Sequence, residues 1–185
     1  MKKMIVVSCL MVSAAILGGC AAPANVAGMS AVATPQQRIV STPLRNNVAV
    51  RDVSGGKDTN PMWTSQVGNS EFEQALESSL RDAGLLAPGK QAGKYTLTAQ
   101  MEKIDQPVAG FTMTVTATVN YVLVERATGK TVLERRISLP YTATWGAAFA
   151  GYERLRLASE GAMKTNIEKI IADLFAMNVT SLAVN

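Results

Sequence analysis

The sequence predicts an α+β fold, a two-layer sandwich in which a mostly antiparallel sheet of about four strands carries two helices on one face. Three observations point there. Over residues 111–123, Phe111, Met113, Val115, Ala117, Val119, Tyr121 and Leu123 alternate with a second face that begins Thr112, Thr114, Thr116, Thr118 and Asn120. That is the period of a strand with one buried face. Residues 70–83 and 152–175 instead repeat apolar side chains at helical spacing. Between the long strand and a second alternating run, Ala127-Thr128-Gly129-Lys130 reads as a hairpin turn.

From the N-terminus, Lys2 and Lys3 precede an apolar run over residues 4–17. The run has the length of a secretory signal core and falls short of the ~20 residues that span a bilayer. Leu17-Gly18-Gly19-Cys20 follows and resembles a lipobox: an aliphatic residue, two small residues that suit a narrow peptidase site, then a cysteine. Cys20 is the group there able to take a thioether-linked diacylglycerol. An ordinary secretory signal with a chance cysteine, or a short core helix, would account for fewer of these features together. Residues 1–19 are therefore expected to be a signal peptide, with cleavage after Gly19 and lipid on Cys20. Residues 20–37, rich in Ala, Pro, Ser and Thr and without a period, are expected to be a flexible tether, and 38–185 a single domain.

Within that domain, Val48 and Val50 against Arg51 mark a short strand over residues 47–53, closed by Ser54-Gly55-Gly56. Ser70 and Glu73 have the spacing of a capping box at the start of the first helix. Phe72, Ala75, Leu76, Leu80 and Ala83 form its stripe, and Gly84 its stop. Tyr95, Leu97, Ala99 and Met101 alternate with Thr96, Thr98 and Gln100 in a half-buried strand. Pro107 and Gly110 mark a turn before the threonine-rich strand. Its partner carries Leu133, Ile137, Leu139, Tyr141 and Ala143; Pro140 lacks an N–H, which places that strand at an edge or a bulge. In the last helix the stripe of Leu155, Ala158 and Ala162 gives way beyond Gly161 to Met163, Ile167, Ile170, Ile171 and Leu174, so a bend or a change of packing partner is expected at Gly161.

Composition narrows the chemistry. The chain has no histidine, which removes the commonest general base and the commonest metal ligand. Its two cysteines are Cys9, inside the leader, and Cys20, so the domain has no thiolate zinc site, no cysteine nucleophile and no internal disulfide. The formal charge of +4 includes the leader lysines, and the remaining basic residues are scattered, so no nucleic-acid surface is expected. No cofactor or metal is called for. Glu71, Glu73, Glu77 and Asp82 all fall on or beside the first helix and read as a solvated face rather than as paired glycosidase acids. Arg156, Glu160 and Lys164 follow at four-residue spacing, either as a surface ladder or as a partly buried Arg156–Glu160 pair orienting a docking surface. Asn166, if buried, must hydrogen-bond to a sheet edge or loop backbone. Trp63 and Trp145, in loops, are expected to plug an end of the core, the other reading being an interface anchor.

With lipobox, tether and element order in view, the chain resembles small outer-membrane lipoproteins of proteobacteria, and in particular the YajG-like group. The likeness rests on Phe72, Leu76, Leu80 and Gly84 at four-residue spacing, the threonine-rich meander, and the segment Arg154-Leu155-Arg156-x-Ala158-x-Glu160-Gly161-Ala162-x3-Asn166-Ile167. It implies location and architecture and supplies no catalytic residues. Ala21, rather than Asp, follows Cys20, which by likeness to Gram-negative sorting favours the periplasmic face of the outer membrane. The expected role is non-enzymatic binding or structure in the envelope, with the membrane engaged through the lipid and an envelope protein or component as partner. The candidate partner surface is Thr112, Thr114, Thr116 and Thr118 on the free sheet face, or an edge strand, with Arg156 and Glu160. The alternatives are an accessory subunit of an outer-membrane or lipid-transport assembly machine, and a carboxylate-only cell-wall glycan enzyme.

Overall fold

The computed structural model describes residues 22–59 and 66–177. The expected lipobox residues Leu17, Gly18, Gly19 and Cys20, and also Trp63, lie outside them. Along the chain run α1 (Val26–Met29), α2 (Pro35–Ile39), β1 (Val48–Ser54), α3 (Asn69–Asp82), β2 (Tyr95–Asp105), β3 (Met113–Glu125), β4 (Thr131–Ala143), a 3-10 turn (Trp145–Ala147) and α4 (Gly151–Ala176). The four strands form one sheet in the order β1-β2-β3-β4. The α+β sandwich is thus as expected. The sheet is mixed: β2, β3 and β4 are antiparallel neighbours, whereas β1 pairs with β2 in parallel. Parallel neighbours need a crossover, and α3 supplies it.

The alternating runs fold as their period dictates. Leu97, Ala99, Val115, Ala117, Val119, Tyr121 and Leu123 are wholly buried on the helical side. On the other face hydroxyls pair across strands, Thr114 with Thr142 at 2.8 Å and Thr118 with Ser138 at 2.9 Å. An Arg136–Glu102 ion pair at 2.6 Å links β4 to β2 across β3. Phe111 and Thr112 precede β3 rather than belonging to it, and Phe111 is exposed. β4 is an edge strand, which accommodates Pro140. The hairpin before it turns at Gly129, with φ +69°.

The stripe of α3 is buried as expected, and the helix closes with a Schellman motif. Gly84 adopts φ +70°, the Leu85 N–H donates to Leu80 O at 2.8 Å, and the Gly84 N–H to Arg81 O at 2.9 Å. The capping box does not form. The helix starts at Asn69 with Gly68 as its cap, two residues too early for Ser70 to cap it. Ser70 Oγ instead accepts from Gln74, and Glu73 pairs with Lys90. The last helix runs unbroken through Gly161, where a Cβ would overlap the Tyr141 ring. Gly161 is a point of close approach between α4 and β4.

The largest departure lies at residues 24–44, where a flexible tether was expected up to residue 37. Ala24, Met29, Ala31, Ala33 and Leu44 are buried in the common core. Asn25 caps α1, and Thr34 and Gln37 form a capping box on α2, with Pro35 in its first turn. The segment contacts both α3 and α4 and fills the seam between them. Small side chains let the backbone lie that close, so a composition typical of a linker is here a packing requirement.

Candidate functional site

Three side chains on the two long helices fasten the N-terminal segment. Glu160 Oε1, on α4, accepts the Asn25 N–H at 2.7 Å. Ser79 Oγ, on α3, accepts the Ala31 N–H at 2.8 Å and donates to Ala75 O. Asp82 Oδ2, at the end of α3, accepts the Ala33 N–H at 2.7 Å while Arg38 bridges both its carboxylate oxygens. These bonds satisfy backbone donors that the irregular segment cannot pair with itself. Gly28 passes directly over Glu160, where a Cβ would overlap Oε2.

Glu160 is buried, its side chain 6% exposed, and Arg156 donates to the same oxygen at 2.6 Å. Arg156 also pairs with Glu153, and that hydrogen bond holds the Glu153 carboxyl below the ordinary glutamate range while raising Arg156. The partly buried pair foreseen in the sequence therefore exists, and what docks on it is the chain's own N-terminal segment. Lys164, the third rung of that spacing, lines a groove of about 690 Å³ between α4 and the end of β4, together with Tyr141, Leu157, Glu160 and Gly28. Of the two carboxylates lining the groove, Glu160 and Glu168, Glu160 is committed structurally to Asn25 and Arg156. Asp82 is exposed, as a solvated face requires, and serves as a fastener as well.

A second assembly joins the loops at the same end. Arg154, buried in the first turn of α4, donates to Ala148 O and Phe149 O, each at 2.8 Å, and to Gly110 O at 3.4 Å. A cation at a helix N-terminus opposes the helix dipole, so its position needs compensation. The carbonyls provide it, as does Trp145, whose ring centroid lies 4.7 Å from the guanidinium carbon. Trp145 stacks at a tilt on Phe111, centroids 5.3 Å apart. Trp145 is 52% exposed, so it does not plug the core as expected. The 3-10 turn holds it over Arg154 instead.

The candidate partner residues separate into two groups. Thr114, Thr116 and Thr118 line the outer sheet face, with Thr118 buried by its cross-strand neighbours, and Thr112 sits in the exposed loop before β3. Arg156 and Glu160 belong to the helical layer on the opposite side of the sheet. The structure does not bring the two sets together. Sequence reading missed Ser79 and Asn25, whose signal is only tertiary. Asn166, fully buried on α4, hydrogen-bonds to the sheet backbone, donating to Ile137 O on the edge strand β4 at 3.2 Å, as expected, and also to Ala117 O on the interior strand β3 at 3.1 Å. Among the described residues no cluster of three or more acidic or cysteine side chains could hold a metal ion, and no helix is long and apolar enough to cross a membrane.

No protein-family model matches the sequence, and no curated protein matches it. Among solved structures, the chain is similar to a DUF330 protein from Xanthomonas campestris, with 13% identity, 80% of this chain and 92% of that one covered, and a TM-score of 0.58. A minor lipoprotein from Acinetobacter baumannii aligns at 11% identity over 71% of this chain and 92% of its own, with a TM-score of 0.45. The Xanthomonas likeness is one of fold. The YajG-like resemblance is not among these findings.

Proposed function

We propose that this chain is a lipid-anchored protein of the Gram-negative cell envelope, which carries diacylglycerol on Cys20 and acts by binding an envelope partner rather than by catalysis. The observation that carries the reading is the fastening of Asn25, Ala31 and Ala33 to the two helices. From Cys20 to the buried Ala24 is four residues, a reach of at most about 14 Å. A domain so attached sits on its membrane instead of swinging from it. Ala21 after the cysteine favours the periplasmic face of the outer membrane. The partner surface is the threonine face at Thr114 and Thr116, continuous with the open edge of β4, where an extended segment could add as a further strand.

The test is the intact mass of the protein taken from Gram-negative membranes. The expected species begins at Cys20 and carries a thioether-linked diacylglycerol, and Cys20→Ser loses it. An unmodified chain still joined to residues 1–19 would overturn the anchor. A photo-crosslinking residue placed at Thr116 or at Thr142 is expected to trap one envelope component; capture of none at either position would remove the binding role.

A further inference from the structure

We propose that the two loops stapled by Arg154, 106–112 between β2 and β3 and 144–150 between β4 and α4, form a bilayer-contacting surface lying in the headgroup region beside the lipid anchor. The site of anchoring rests on the proposed lipidation of Cys20, while the surface itself rests on geometry. These loops expose Val108, Phe111 at 77%, Trp145 at 52% and Phe149 at 94%. Four large apolar side chains gathered at one end are costly in water and suited to an interface, where aromatic rings settle at headgroup level. They are held rather than loose: Arg154 ties Gly110 of one loop to Ala148 and Phe149 of the other, and Trp145 rests on both Arg154 and Phe111.

The occupant follows from where the chain enters the domain. The Ala24 N–H donates to Gln66 O at 3.1 Å. Gln66 bonds Gln106, the first residue of the β2–β3 loop, and Gln106 bonds Ser159, beside the Glu160 that holds Asn25. The entry point therefore adjoins the aromatic loops, and the segment then runs away from them along the α3–α4 seam towards the start of β1. With at most about 14 Å of chain between Cys20 and Ala24, a lipid on Cys20 brings this end of the molecule to the bilayer. The exposed Val32 and Ile39 lie farther along the segment, beyond that entry.

The experiment uses the mature chain, residues 20–185, which contains every described element. Cys20 is its single thiol, so coupling to a maleimide-bearing phosphatidylethanolamine in phosphatidylethanolamine/phosphatidylglycerol vesicles fixes the anchor whether or not cells acylate it. Trp63→Phe leaves Trp145 as the sole indole. With chains brominated near the headgroup, Trp145 emission should fall at least twofold and shift to the blue. Phe111→Ser with Phe149→Ser should remove most of that quenching at unchanged circular dichroism. Unquenched Trp145 in the coupled protein would overturn the surface even if cells do lipidate Cys20. Equal quenching in the double variant would also overturn it, as would loss of quenching explained by a dimer of twice the mass. An uncoupled native cysteine would overturn the anchor alone.

Discussion

Two buried polar side chains, one without a partner and one with its donor paired, make the residue scale testable. The Tyr121 hydroxyl is buried in the sheet core with no hydrogen-bond partner among the described residues, and burial pushes its pKa far above the usual tyrosine range. Leaving such a group dry costs about 1–3 kcal/mol. Tyr121→Phe should therefore leave the urea midpoint unchanged or raise it, and a fall of more than about 1 kcal/mol would show a partner the described residues do not provide. Asn166 is half satisfied: its amide nitrogen donates to carbonyls of two strands, while its Oδ1 is buried with no partner among the described residues. Asn166→Asp is nearly isosteric but turns that donor into an anion facing two carbonyl oxygens. The expected loss at neutral pH is about 3 kcal/mol. Burial without a cation raises the new carboxyl's folded pKa above its unfolded one, so the penalty grows as pH rises through the unfolded value and shrinks in acid. Denaturation at pH 5 and pH 8 should show the gap to wild type widening with pH.

At the scale of elements, what the sequence made legible was whatever a local pattern specifies. The end of α3 was readable because Gly84 is the residue a positive φ favours there, and Phe72 to Leu80 repeat with the helix. The start of α3 was not, since Gly68 caps it without a side-chain bond and Asn69 turns its Oδ1 to the Gly56 N–H at 2.7 Å. Residues 24–33 were illegible for a stronger reason: they have no period, and their order is imposed by Ser79, Asp82 and Glu160 far along the chain. Two variants test this fastening. Gly28→Ala places a methyl group against a carboxylate already held by Asn25 and Arg156, and should open the segment. Glu160→Ala strands the Asn25 N–H and one donor of Arg156, at about 1–3 kcal/mol. Both should hasten proteolytic cutting near residue 30 several-fold while protection of β2 and β3 amides from hydrogen exchange persists; equal loss at both places would mean the segment does not open by itself.

For the whole molecule, the apolar and threonine faces foretold two layers, but strand direction depended on a crossover that alternation does not encode, and the extent of the core on a segment without sequence signature. Residues 158–163 of α4 are buried all round because sheet, Tyr141 and N-terminal segment each cover a side. A helix apolar on one stripe alone would not need this. The segment is thus a structural layer, and its removal should behave as core damage. Deleting residues 21–33 takes away the fully buried Met29, three buried alanines and the partners of Ser79 and Glu160. Loss of a buried methionine side chain alone is of order 2–5 kcal/mol, against a total stability of about 5–15 kcal/mol. At roughly 2–4 °C per kcal/mol for a chain of this size, Tm should fall by at least about 10 °C. Inserting a ten-residue Gly/Ser linker between Ala22 and Pro23 lengthens the connection to Cys20 but touches none of these contacts, and Tm should stay within about 2 °C. A tether would erase that ranking: deletion would be tolerated as well as insertion, because neither would remove buried surface.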